Sequence, residues 1–273
     1  MKLEKDTDSY GFKRLKNEIS KKIGVDYDNY SNRHLRRRFH ARMRVVDTPK
    51  FSDYLNYLKK NEKEEIEKLR DLLTVNVTKF KRDIEVWKII EGEVVPDLLN
   101  KDKTGLNRIR AWSAGCATGE EPYSLSICYL KNKSSSGPSF KITATDLDSE
   151  ALTFAKRGEY PDKSLKNLSR TEKRDFFNDV DGGWKIKEKV KRQVDFKKKD
   201  IFKTRFTQKF DFISCRNLMI YFNNEAKTKL MERLVESLRP GGYLVIGMSE
   251  NLRAPAKDKV KAYNLRKRVF LKE

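Results

Sequence analysis

The chain has little cysteine, little histidine and no long apolar run. Its three cysteines, Cys116, Cys128 and Cys215, are odd in number and lack metal-ligand spacing. They read as free thiols in a reducing compartment, which leaves no disulfide framework. Two histidines, His34 and His40, are too few for a histidine-based metal site, and no bound metal is expected. The N-terminal stretch MKLEKDTDSY lacks the apolar segment of a signal peptide, and no stretch reaches the length of a membrane span. A cytoplasmic protein without membrane insertion is therefore expected. There are no internal repeats and no dimerisation heptad, so a monomer is expected. Acidic residues are outnumbered, 40 Asp+Glu against 61 Lys+Arg, for a formal charge of +21. That balance calls for acidic partners. Nucleic acid, an anionic membrane surface and an acidic protein all satisfy it, and charge alone does not choose among them.

What is present divides the 273 residues into a smaller and a larger part. Residues 1–75 read as helical throughout. Phe12, Leu15, Ile19 and Ile23 recur at helical spacing and Gly24 stops that helix. A second helix spans about 31–46, with Leu35, Phe39, Met43 and Val46 on one face. Arg33, Arg37 and Arg44 fall on the opposite face, with Arg36 and His40 beside them. Two more helices are expected around 54–58 and 66–73. The basic face is either a solvated helix surface or a docking face for carboxylates or phosphates. Residues 76–90 form a linker and helix. Asn76 and Thr78 are good N-cap residues, and Arg82 is expected in the first turns of that helix, against its dipole.

Residues 91–273 read as an alternating strand and helix domain, a doubly wound α/β sheet. IRAWSAGCATGEEPYSLSI, at 109–127, runs from a strand through the Gly115–Gly119 loop into a helix. Such a unit either is a plain strand–helix turn or cradles a nucleotide-like cofactor. Glu120 and Glu121, directly after the loop, repel a pyrophosphate and suit a ligand with hydroxyls, amines or positive charge. Strand two, 141–145, ends in Asp146, which is either a helix cap or an acceptor for both ribose hydroxyls. KSSSGPS at 133–139 is a flexible loop. Residues 158–193 interrupt the alternation as a small antiparallel appendage, with a hairpin around Asp181-Gly182-Gly183. Strand three is 194–196, and strand four is FDFISC at 210–215. The residues after strand four line the ligand crevice of an open sheet, so Asn217 and Tyr221 are reaction-site candidates. A helix over about 224–238 stops at Arg239-Pro240-Gly241-Gly242. Strand five spans 243–247, and 269–271 belongs to a last edge strand.

Asn76-x-Thr78-x-Phe80-x-Arg82, WSAGCATGEEPYS, TATDLD, CRNLMIYF and LRPGGYLVIGMSEN form an ordered series. Together they closely resemble the chemotaxis receptor methyltransferases, the CheR family, over nearly the whole chain. The resemblance implies methyl transfer from S-adenosylmethionine to receptor glutamates, leaving S-adenosylhomocysteine. It implies cofactor contacts by Asn76, Thr78 and Arg82, with Arg82 also near the transferred methyl, and by the Gly115 loop. Glu121 and Asp146 match carboxylates at the cofactor's amino-acid portion and ribose, with Glu120 the alternative to Glu121. Arg216 and Asn217 match the segment at the cofactor, and Tyr221 matches the active-site tyrosine. Arg82 and Tyr221 are thus the catalytic candidates. Two departures stand out. Phe80-Lys81 replaces a pair of aromatics, and Asp200-Ile201 replaces an Asn-Leu on the adenine side.

A glutamate carboxylate, with a reference pKa of about 4.3, is already a nucleophile at neutral pH. No general base is needed, which fits the absence of histidine near these motifs. The methylated region in the family is an acidic helical coiled coil, for which Arg33, Arg37 and Arg44 would form the docking face. The insertion corresponds to a β-subdomain that in some members grips a receptor tail. A nucleic-acid methyltransferase is disfavoured, because Ser214-Cys215-Arg216-Asn217 stands where an Asn/Asp-Pro-Pro-aromatic segment would receive a flipped base. A non-catalytic cofactor sensor is disfavoured by the presence of both Arg82 and Tyr221.

Overall fold

The computed structural model describes residues 8–74, 76–100, 108–135 and 137–273. The first seven residues of the N-terminal stretch and Ser136 of the 133–139 loop lie outside the described residues. The described residues form two compact units, one within 1–75 together with 221–227 and the other within 76–220 together with 228–273.

The helical unit holds α1 (Ser9–Ile23), α2 (Asn32–Val45), α3 (Phe51–Lys60) and α4 (Glu62–Leu73). Asp8 caps α1 through the Gly11 N–H, and Gly24, at φ 75°, closes it in the left-handed region that glycine adopts without strain. The apolar stripes of these helices meet in one core. Phe12, Leu15, Ile19, Leu35, Phe39, Met43, Tyr54, Leu58 and Leu69 are all buried there. Arg36 belongs to this packing, its guanidinium 3.9 Å from the Phe12 ring centroid. Arg42 also turns inward, gripping Glu65 with Nε at 2.6 Å and Nη2 at 2.7 Å while Tyr54 donates to the same carboxylate. Arg33, Arg37 and Arg44 remain exposed.

In the sheet unit a helical stretch comprises α5 (Ile84–Ile89), a π-turn (Ile90–Val94) and α6 (Val95–Asn100). Then follow β1 (Arg108–Ala114), α7 (Glu120–Asn132), β2 (Ser139–Asp146) and α8 (Ser149–Arg157). The insertion supplies β3 (Glu159–Tyr160), α9 (Arg170–Phe176), β4 (Phe177–Val180), β5 (Gly183–Ile186) and α10 (Glu188–Lys191). The chain ends with β6 (Val194–Lys198), β7 (Phe210–Cys215), α11 (Asn224–Ser237), β8 (Leu238–Ile246), β9 (Val260–Asn264) and β10 (Val269–Lys272). The seven-stranded sheet has the order β6-β2-β1-β7-β8-β10-β9, with β6 to β8 parallel and β10 antiparallel to both of its neighbours. β3, β5 and β4 make the small antiparallel sheet expected of the insertion. Successive strands step away from β1 on one side and β7 starts the other, so the strand order reverses between β1 and β7. Ligands of open α/β sheets sit at that point, beyond the carboxyl ends of the strands.

Three expectations need correction. β10 is not an edge, because β9 pairs outside it. The sequence of β9, VKAYN, is short and sits among lysines, which hid it. Strand five begins before the Arg239-Pro240-Gly241-Gly242 turn rather than after it. Phe210 pairs with Leu238 and Phe212 with Tyr243, so the four turn residues form a bulge within β8. The third correction concerns Arg82, which precedes α5: its start is set by Asp83 at φ 59°. Asn76 and Thr78 therefore cap nothing there.

Candidate functional site

The carboxyl ends of β1, β2, β6 and β7 gather most of the residues singled out in the sequence. β1 ends at Ala114, and the loop beyond it is tied to β2 by the Gly115 and Cys116 N–H groups, both donating to the Thr145 carbonyl. Gly115, Ala117 and Gly119 all have positive φ. A side chain at Gly115 would put its Cβ 2.8 Å from Leu218 Cδ2 and would be strained at φ 76°, so glycine suits this position. Asp146, at the end of β2, accepts the Ala117 N–H at 2.8 Å and the Asp148 N–H at 3.0 Å. Each oxygen keeps acceptor capacity for a further donor. Burial pushes its carboxyl above the ordinary aspartate value, while those two N–H groups pull it back.

Asn76 reaches the same corner by another route. Its amide donates to Asp148 at 2.7 Å, and Asp148 caps α8. Thr78 is half-buried on the same segment. Asp200 stands just past β6, where its carboxylate accepts the Phe202 N–H at 2.8 Å and its carbonyl the Thr204 N–H. Asp200 therefore shapes a turn, and Ile201 is half-buried beside it.

The two glutamates of α7 part company. Glu121 accepts from Ser113 Oγ at 2.8 Å and lies 3.5 Å from Arg216 Nη1, at the switch point. Glu120 turns inward, accepting from Thr118 Oγ1 at 2.6 Å, and is 3% exposed. Burial pushes its carboxyl up to about 7. A carboxyl whose folded pKa exceeds its unfolded value loses stability as pH rises from the unfolded value through the folded one. Glu120→Gln is accordingly expected to raise the melting temperature at pH 8 more than at pH 5, leaving cofactor affinity within about twofold. Glu121→Gln, which removes a charge facing the crevice, is expected to weaken cofactor binding about tenfold or more in a calorimetric titration. An equal loss in both variants would refute the division of roles.

Arg216 is the hub. Its side chain is 2% exposed, Nη2 donates to the Arg82 carbonyl and to Asp83, each at 2.8 Å, and Nη1 faces Glu121. The Trp87 indole N–H donates to the same Arg82 carbonyl at 2.9 Å. Arg82 folds back over its own segment, Nη1 donating to the Val77 carbonyl at 2.9 Å. Asn217 has φ 59°, and its N–H donates to Glu250, which also accepts from Met219 and Gly247 N–H groups. Glu250 lies inside the LRPGGYLVIGMSEN segment, where nothing in the local pattern marks it for this role. Lys81, Asp83, Ala117 and Asn217 share left-handed backbone, which concentrates strain around this crevice.

Lys81, the odd residue of its motif, is buried and ion-paired with Glu91 and Glu172, and the more exposed Lys131 pairs with the same two carboxylates. Phe80 beside Lys81 is fully buried, edge-on to Tyr160 and Phe177 of the insertion. Tyr221 folds with the helical unit, its ring centroid 4.9 Å from that of His34. Histidine is therefore not absent from the motif's surroundings; it arrives from a distant part of the chain. Among the described residues no helix is long and apolar enough to cross a membrane.

A parallel sheet core whose β1 loop runs between Gly115 and Gly119, with a carboxylate ending β2 and another facing the switch point, suits a cofactor with a ribose diol and positive charge. This is the class of S-adenosylmethionine-dependent methyltransferases. The chain belongs to the CheR methyltransferase family: its SAM binding domain matches residues 76–269 and its all-alpha domain residues 11–74. It is 33% identical over 238 residues to the chemotaxis protein methyltransferase of Listeria monocytogenes, covering 87% of this chain and 88% of that one. The Borreliella burgdorferi protein of the same name is 32% identical over 252 residues, 87% and 89% of the two chains. That of Vibrio parahaemolyticus is 36% identical over 188 residues, 67% of each.

Proposed function

We propose that this methyltransferase esterifies glutamate side chains in the acidic helical region of cytoplasmic chemoreceptor segments, working in the cytoplasm as a monomer. The observation that carries the reading is the Glu121–Arg216–Arg82 cluster, with Asp146 and the left-handed loop at Gly115. The cofactor supplies an electrophilic methyl on a sulfonium. Asp146 would accept from the ribose hydroxyls, and Glu121 would face the amino-acid portion, with Asn76, Thr78, Arg216 and Asn217 completing the walls. Asp200 and Ile201 border the adenine side.

With that cofactor bound, a glutamate oxygen would bond the methyl carbon as its carbon–sulfur bond breaks, giving a methyl ester and a neutral thioether. The nucleophile is ionised at neutral pH, so no proton moves. By the family resemblance, Arg82 and the Tyr221 hydroxyl would orient the carboxylate, and positioning of this kind accounts for roughly 7–11 kcal/mol of a barrier. Too firm a grip by Arg82 would stabilise the ground state. Its bond to the Val77 carbonyl leaves only part of the guanidinium for the substrate.

The test is transfer of labelled methyl from S-adenosylmethionine to protein in a lysate of the host. Label released by mild alkali as volatile methanol identifies a carboxyl ester. Label that resists alkali, or sits on RNA, overturns the proposal. The exposed Arg33, Arg37 and Arg44 give a second expectation. Reversing all three to glutamate should raise KM for the receptor roughly tenfold or more, with the larger effect at low salt and cofactor affinity unchanged. Unchanged kinetics would return that face to ordinary solvated surface.

A further inference from the structure

The segment 221–227 is fastened to the start of α2 by both backbone and rings. Tyr30 and Phe222 form an antiparallel bridge, with their rings edge-on at 5.1 Å. The Ser31 N–H donates to the Tyr221 carbonyl at 2.9 Å, and the Asn223 N–H to the Asn29 carbonyl at 2.9 Å. Asn223 Nδ2 adds a bond to the Asp28 carbonyl at 2.7 Å. Beyond these, the Tyr221 ring meets one aromatic neighbour on α2, His34, at 4.9 Å and 63°.

His34 is an expensive residue for this place. It is 9% exposed, and its Nε2 is buried with no hydrogen-bond partner among the described residues. Burial, with Arg38 and Arg37 nearby, holds its pKa down to about 4, so the ring is neutral in the cell. An apolar ring would fill the space without an orphaned nitrogen. Around the helix, His34 stands about 60° from Arg37 at 100° per residue. One turn of α2 therefore shows its docking arginine to solvent and its imidazole to the tyrosine.

We propose that His34 is a positioning residue for methyl transfer: its ring fixes the Tyr221 ring against α2, so the helix that presents the docking arginines also sets the tyrosine. The proposal rests on the assignment of Tyr221 to the reaction. Ring packing, not the nitrogen, is what acts.

The experiment measures kcat and KM for methylation of a purified cytoplasmic fragment of a chemoreceptor from the same host. The variants are His34→Ala, His34→Phe, Tyr221→Phe and the His34→Ala/Tyr221→Phe double. His34→Ala is expected to lower kcat about tenfold, as a misplaced positioning group does, with KM for the fragment within about twofold. The double variant should be no slower than Tyr221→Phe, because the histidine acts only through the tyrosine. His34→Phe should restore kcat and melt at a higher temperature than the unmodified protein. Multiplicative losses in the double variant, or a His34→Phe as slow as His34→Ala, overturn the proposal. A Tyr221→Phe at full rate sinks the tyrosine assignment and this proposal with it. A slow Tyr221→Phe beside a normal His34→Ala sinks this proposal alone.

Discussion

Arg216→Ala is expected to raise the dissociation constant for S-adenosylmethionine about a hundredfold, or roughly 2.7 kcal/mol. The expectation follows from what one guanidinium holds. It joins the end of β7 to the backbone of Arg82, to Asp83 and to Glu121 on α7. Those groups belong to three of the segments that build the crevice, and they are far apart in sequence. Truncation leaves Glu121, with a side chain 14% exposed, without its cation. It also frees the Arg82–Asp83 turn, whose left-handed Asp83 is strained. The penalty for stranding a buried charged partner is typically 3–5 kcal/mol, of which part falls on stability and part on binding.

Arg216→Lys is the sharper variant. A lysine keeps the charge but offers a point donor where the arginine offers a planar fork, and it cannot reach a carbonyl and two carboxylates together. It should lose at least about tenfold in cofactor affinity while its circular dichroism stays that of the folded protein. A lysine variant that binds like the original would show that charge alone matters here, and the hub would be no hub.

Much of this site is legible in the sequence, for reasons that can be named. β2 and β7 are short apolar runs, KITATD and FDFISC, punctuated by charged or turn residues, as buried parallel strands are. α8 carries its own limits in Asp148 and Gly158. Asp146 and Gly115 meet because a β–loop–α unit brings the ends of neighbouring strands together, and that much is topology. What escaped is tertiary. The start of α5 at Ile84 is set by left-handed Asp83, and the preceding motif had good cap residues to suggest otherwise. Glu250 serves Asn217 across 33 residues, and no local period reveals it. Tyr221 follows strand four and so reads as part of the sheet's crevice. Its Ser31 hydrogen bond and the adjacent Phe222 bridge to Tyr30 place it with the helical unit, and no pattern in CRNLMIYF announces them.

Lys81→Met should destabilise the protein by about 3–5 kcal/mol in urea, and should reverse the sign of the Glu172 contribution to its pH dependence. Lys81 and Lys131 stand against Glu91 and Glu172, two cations on two carboxylates, with the Lys81 and Glu172 side chains each 7% exposed. Burial works against ionising Glu172, but hydrogen bonds from Lys81, Lys131 and the Ser169 N–H more than offset it and hold the pKa down to about 2. A folded pKa below the unfolded one stabilises above the unfolded value of 4.5 and is lost as pH falls towards 2. Without Lys81, the buried Glu172 and the half-buried Glu91 share one cation, and burial pushes both carboxyls upward. The variant then gains more stability than the original as pH falls from 8 to 5, beyond the share that Glu120 gives to both. Adding Glu172→Gln should recover most of the loss, because glutamine keeps the bond to the Ser169 N–H that closes the cap of α9 and brings no charge. The effect should reach the cofactor as well. The Lys81 N–H donates to Ser124 on α7, and its carbonyl accepts from Asn167 in the insertion, so the same residue fixes the backbone that hands Arg82 to Arg216. A Lys81→Met protein as stable at pH 8 as the original would mean that the ion cluster is solvated, and that Lys81 is a surface residue in an aromatic's place.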